Sequence, residues 1–132
     1  MRRKPRRRPT PTLSILMEPI FHIADRAAWR AAAASGLYAQ STRDQTLEEV
    51  GFIHCSYRHQ LLDVAKNFYA DVTTPLVLLT IAPELLDAPL VPEPPTEGAQ
   101  PFPHIYGALN IGAVLTATPF VKDENGQFIF NE

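Results

Sequence analysis

Gly51-Phe52-Ile53-His54-Cys55-Ser56 places a histidine, the only cysteine and a serine at the end of a short apolar run. Phe52 and Ile53 read as a buried strand. Tyr57 to Tyr69 read as a helix, because Leu61, Leu62, Ala65, Phe68 and Tyr69 recur at helical spacing. The polar residues therefore fall at a strand-to-helix junction, where backbone N–H groups and reactive side chains commonly face a cleft. Two more histidines have similar surroundings, in Ile20-Phe21-His22-Ile23-Ala24-Asp25 and in Phe102-Pro103-His104-Ile105-Tyr106-Gly107. Three of the four histidines thus lie in aromatic-flanked apolar segments.

Working outward, Pro19 to Ile23 reads as the first strand. Asp25 is placed to cap a helix over Arg26 to Ser35, with Trp29, Ala32 and Ala33 as its apolar stripe and Gly36 at its end. Leu37 to Gln40 reads as a short strand, and 41–50 as a polar connection with helical character at Thr46 to Val50. Ser56 is expected to cap the helix that follows it. Leu76-Val77-Leu78-Leu79-Thr80-Ile81 is the strongest strand, and its unbroken apolar run suits a central position covered on both faces. Pro83 to Leu86 reads as a turn, and Leu90-Val91 as a short strand. Residues 92–103 hold five prolines and read as a long binding loop. His104 to Tyr106 and Ala113 to Leu115 are strands, and Phe120 to Phe130, turning at Glu124-Asn125-Gly126, reads as a terminal hairpin. Two early helices followed by short strands predict an α+β domain.

A chain of 132 residues is the size of one domain, large enough for a core without disulfides or metal. Hydrophobic residues make up 45% and charged residues 20%, as in ordinary globular proteins. No apolar run approaches the ~18 residues of a membrane span. One cysteine excludes an internal disulfide and points to a reducing, cytoplasmic setting. The net charge of −2 conceals an asymmetry. Residues 1–16 carry six basic residues and no acid, whereas 17–132 carry six basic against 14 acidic, a net −8. The expected division is a disordered basic tail or start-site extension over 1–16, with Met17 as a natural start, and one globular domain over 17–132. The functional alternative for the tail is an arm for nucleic acid or an anionic surface. The acidic body argues against nucleic acid as the main partner.

In the first strand, alternation puts Phe21 and Ile23 on one face and His22 on the other. His54 alternates with Ile53 in the same way. Two such histidines suit hydrogen bonding to sugar hydroxyls, or general acid/base work near neutral pH. The plain alternative is a packed polar residue. Ser56 has capping as its structural reading and contact with a polar ligand as its functional one. Cys55 is a conceivable nucleophile, but alternation turns it to the core. His104 and Tyr106 follow a rigid proline and precede Gly107, which suits an aromatic held beside a ligand with close backbone approach. Glu93 is either a carboxylate presented by the proline-rich segment or a solvated loop residue. No phosphate loop, nucleophile elbow or zinc helix is present, and no metal-ligand spacing is evident.

These ordered motifs, with the helix ending Asn67-Phe68-Tyr69, resemble domain-of-unknown-function family 952, a mostly bacterial group, from about Ile20 to Phe130. That family is thought to be related to the ADP-ribosyltransferase superfamily, in a branch similar to the RNA 2′-phosphotransferases. The resemblance implies a split sheet, two small antiparallel sheets with two main helices around an NAD cleft. It implies His22 at a ribose, His54 near the nicotinamide end, and Glu93, His104 or Tyr106 at a third catalytic position. The expected assignment is His22, His54 and Glu93 as catalytic, with Ser56, His104 and Tyr106 as cofactor-binding. The implied activity is ADP-ribosyl transfer, NAD cleavage or 2′-phosphate transfer on a small nucleotide ligand. A non-catalytic ligand- or protein-binding module is the competing reading, and a His-based metal hydrolase a weaker third.

Overall fold

The computed structural model describes residues 17–131, so the expectations for 1–16 lie outside the described residues. The elements are β1 (Ile20–Asp25), α1 (Arg26–Ser35), β2 (Leu37–Tyr38), β3 (Gln40–Thr42), β4 (Gln45–Thr46), α2 (Leu47–Val50) and β5 (Ile53–His54). There follow α3 (Leu61–Phe68), β6 (Leu76–Ile81), β7 (Leu90–Glu93), β8 (Phe102–Ile105), β9 (Leu109–Asn110) and β10 (Val114–Phe120). The result is a mixed α+β domain of several small antiparallel sheets and few helices.

β6 lies between β1 and β10, antiparallel to both. Its Val77, Leu79 and Ile81 enter one core with Ile20, Ala24 and Tyr38, while Leu76 and Leu78 enter a second with Phe21, Ile23, Leu61 and Ala65. The strand is therefore central and covered on both faces, as its apolar run predicts. Each such buried side chain contributes about 1.5–3 kcal/mol relative to exposure. α1 also follows its caps. The Ala28 N–H donates to Asp25 Oδ2 at 3.1 Å, and Gly36, at φ 96°, donates its N–H to the Ala32 carbonyl at 2.8 Å. Its inward stripe is the buried Ala32 with the partly buried Ala28 and Trp29, and Ala33 lies outside.

The second three-stranded sheet has the order β5-β8-β7. It is tied to the first by a backbone bridge in which Phe21 and Ser56 exchange two hydrogen bonds of 2.8 Å. This corrects the capping expectation: Ser56 is committed to pairing with β1. The helical segment instead starts with a 3₁₀ turn at Arg58–Gln60 before α3, and Gln60 Oε1 accepts the Tyr57 N–H at 2.9 Å. The connection 41–50 contains the β3–β4 hairpin as well as α2, with Thr46 as cap.

The proline-rich loop is shorter than expected, because β7 extends through Pro92 to Glu93 and β8 begins at Phe102. Pro92 and Pro103 lie directly opposite each other. Each turns its nitrogen away from the β7–β8 ladder, so neither missing N–H breaks that pairing. The C-terminal hairpin reduces to a Lys122–Phe128 bridge and its flanking bonds, since β10 ends at Phe120. Gly107 does allow a close approach, but the neighbour is protein: a Cβ there would lie 2.8 Å from Ala88 Cβ.

Candidate functional site

β5 and β8 pair Ile53 with Ile105 and His54 with His104. Both isoleucines are fully buried, so the two-residue period puts both histidines on the other face of the sheet. The same alternation adds Phe52 beside His54, Phe102 and Tyr106 beside His104, and Glu93 from β7. Facing them are Phe21 and Ile23 of β1, with Val64, Phe68 and Tyr69 at α3. Between the walls runs a cleft of about 620 Å³, within the range of small-molecule pockets, ~300–1,000 Å³. Another hollow of about 290 Å³ near Phe120 and Phe128 has Arg26 and Lys122 as its titratable groups and assembles no comparable polar cluster.

The polar centre of the cleft is Glu93. Its Oε1 lies 2.8 Å from His104 Nδ1 and accepts the Tyr106 hydroxyl at 2.5 Å. These two bonds, that from Tyr106 first, hold the Glu93 carboxyl below the usual carboxylate range, and the same contact raises the Tyr106 phenol. With Glu93 ionised, Nδ1 of His104 is the donor. His104 also stacks on Phe52, with ring centroids 4.0 Å apart and 19° between the planes. His54 meets both rings edge-on, at 4.8 Å from Phe52 and 5.2 Å from His104. Loss of water against this wall lowers the His54 pKa, and the neighbouring His104 lowers it further. His54 is thus a neutral imidazole near pH 7, open to the cleft and able to donate and accept.

Of the sequence-predicted residues, the fold brings His54, Glu93, Ser56, His104 and Tyr106 to one cleft. His22 stands apart. It is buried behind β5, with Nδ1 2.6 Å from the His54 carbonyl and Nε2 2.8 Å from the Tyr38 hydroxyl. A carbonyl only accepts, so Nδ1 carries the proton and Nε2 accepts from Tyr38. Burial lowers the His22 pKa to about 4 and raises that of the Tyr38 phenol, consistent with a neutral ring. Both ring nitrogens of His22 are spent, so His22, His54 and His104 do not form a metal ligand set. Among the described residues no other group of three His, Cys, Asp or Glu is placed to hold a metal. Cys55 is buried in the core and its thiol is pushed up by burial, as its alternation implies.

Sequence reasoning missed Tyr38 and Gln60. Tyr38 fixes the His22 ring, and nothing local marks it. Gln60 is buried and donates from Nε2 to the Pro101 carbonyl at 2.9 Å, pinning the loop whose Pro94 and Pro95 edge the cleft. Phe52 reads in the sequence as a buried strand residue, and its alternation with His54 is the signal that it faces the site.

Residues 23–117 match the family model described as "Protein of unknown function (DUF952)". The chain belongs to this family. DUF952 similarity extends to solved structures. The crystal structure of protein CC0527 from Caulobacter crescentus is 32% identical, covering 84% of this chain and 93% of that one, with a TM-score of 0.71. The solution NMR structure of CC0527 is also 32% identical, covering 83% and 90%, with a TM-score of 0.64. No curated protein matches this DUF952 chain. Among its described residues, no helix is long and apolar enough to cross a membrane.

Proposed function

We propose that the cleft binds NAD or a related nucleotide by its nicotinamide–ribose end and promotes cleavage of the bond between them, with ADP-ribose passing to water or an acceptor. The fold would then be a small ADP-ribosyltransferase-like split sheet. One observation carries the reading: the His54–His104 pair in an aromatic cleft, with Glu93 bonded to His104 and Tyr106.

Cleaving an N-glycosidic bond builds positive charge on the ribose, as in glycoside hydrolysis. Glu93, ionised by its two donors, supplies the negative charge that favours such a centre. Neutral His54 can bond a ribose hydroxyl or take a proton from an attacking water. Phe52 and Tyr106 offer surfaces for a planar leaving base. His22 acts at one remove in this reading, holding the backbone that carries His54.

Calorimetry with NAD and an assay of nicotinamide release test the proposal. Release should fall at least ~10²-fold in His54→Ala and in Glu93→Gln. NAD that neither binds nor is cleaved would end it. The competing reading, a non-catalytic recognition cleft, is favoured by the withdrawal of His22 from the cleft. NAD binding without His54-dependent release would select that reading.

A further inference from the structure

The charges around the cleft are distributed unevenly. Among the described residues, its lining contains no lysine or arginine, and Glu93 is its formal charge. A polar hollow of about 280 Å³ adjoins it, sharing Ile23, Thr42 and Tyr69, and carries Asp25, Asp44 and Arg43. Arg43 is already matched: Nη1 donates to Asp71 Oδ1 at 2.6 Å and to the Phe68 carbonyl at 2.9 Å, and Nε lies 3.8 Å from Asp44. The start of α1 is no anion site either, because the Asp25 carboxylate itself accepts the Ala28 N–H. Among the residues lining the two hollows a pyrophosphate would meet three carboxylates and one compensated guanidinium, while Arg58 is engaged over the Phe21 and Phe130 rings. Phosphate recognition calls for the reverse arrangement.

A flat cation is matched far better. Phe52, Tyr106, Phe102, Phe68 and Tyr69 supply aromatic surface to the cleft. Both bonds to Glu93 fall on Oε1, so Oε2 is left for a ligand. We infer that the cleft selects a planar heteroaromatic cation, an N-alkyl or N-ribosyl pyridinium, by ring and charge, and reads no phosphate. This rests on the nucleotide reading above and narrows it: the pyridinium riboside end is held and the pyrophosphate stays outside.

Titration calorimetry on the full chain tests this with 1-methylnicotinamide, neutral nicotinamide, nicotinamide riboside, NAD and ADP-ribose. The methylated cation should bind about tenfold more tightly than nicotinamide. Nicotinamide riboside and NAD should agree within about threefold, and ADP-ribose should not bind. Glu93→Gln should remove most of the tenfold preference, whereas Arg43→Ala should leave NAD binding unchanged. The circular dichroism spectrum of Glu93→Gln should overlay that of the wild type, a check that its fold is intact. Equal binding of methylated and neutral nicotinamide, tight ADP-ribose binding, or loss of NAD binding in Arg43→Ala would overturn the inference. If the methylated cation is preferred and NAD does not bind, the NAD reading fails alone. If ADP-ribose also binds and nicotinamide is still released from NAD, this inference fails and the broader reading stands. No binding by any probe defeats both.

Discussion

His22 holds the backbone of His54: its Nδ1–H donates to the His54 carbonyl at 2.6 Å while its Nε2 accepts from Tyr38. Two histidines that look alike in the sequence thus divide the work. One faces the cleft, and the other fixes the first from behind.

Removing His22 should leave the Tyr38 hydroxyl and the His54 carbonyl buried without their partner. His22→Ala is expected to cost about 2–4 kcal/mol in urea unfolding, from lost bonds and an unfilled space. Tyr38→Phe should cost about 1 kcal/mol, since it keeps the ring. An Ala variant as stable as the wild type would refute the bonded arrangement.

The same histidine should make stability fall on acidification. Its pKa is about 4 folded, against 6.5 for an unburied histidine, so the unfolded chain binds the extra proton between those values. Its contribution is full above about pH 6.5 and is lost as pH falls toward 4, a change of about 3 kcal/mol. Urea midpoints measured from pH 8 to 4 should show this slope, and His22→Asn should flatten it.

His54 should titrate below an ordinary histidine, because lost hydration and His104 both oppose its charge. In His104→Gln its pKa should move back upward. Ring-proton NMR titration of the two proteins reads the change directly, and an unshifted His54 would contradict the described geometry.

Cys55 should resist alkylation in the native state, since its thiol is buried and its pKa is raised. Iodoacetamide labelling, followed by mass spectrometry, should be slow in buffer and at least ~100-fold faster in denaturant. Fast native labelling would mean that the Cys55 segment opens readily.

Local chemistry made much of the frame readable. Asp25 and Gly36 bracket α1, and the run Leu76 to Ile81 could only be covered on both sides. Alternation also separated His54 from Ile53 and Cys55. What escaped depends on contacts far along the chain. A serine before a helix has the chemistry of a cap, and only the meeting with Phe21 diverts it. The β3–β4 hairpin is polar and short, so no periodicity announces it. Prolines at 92 and 103 argue against strands until their register shows that no bond between β7 and β8 is lost. Tyr38 is 16 residues from the His22 it bonds, and no spacing rule connects them.

The alternation along β5 and β8 has an evolutionary consequence. Ile53, Pro103 and Ile105 carry the packing, while Phe52, His54, Phe102 and Tyr106 meet whatever occupies the cleft. The two sets interleave residue by residue yet answer to separate demands. Descendants of this fold are therefore free to exchange one ligand for another by changing every second residue, with the architecture beneath left standing.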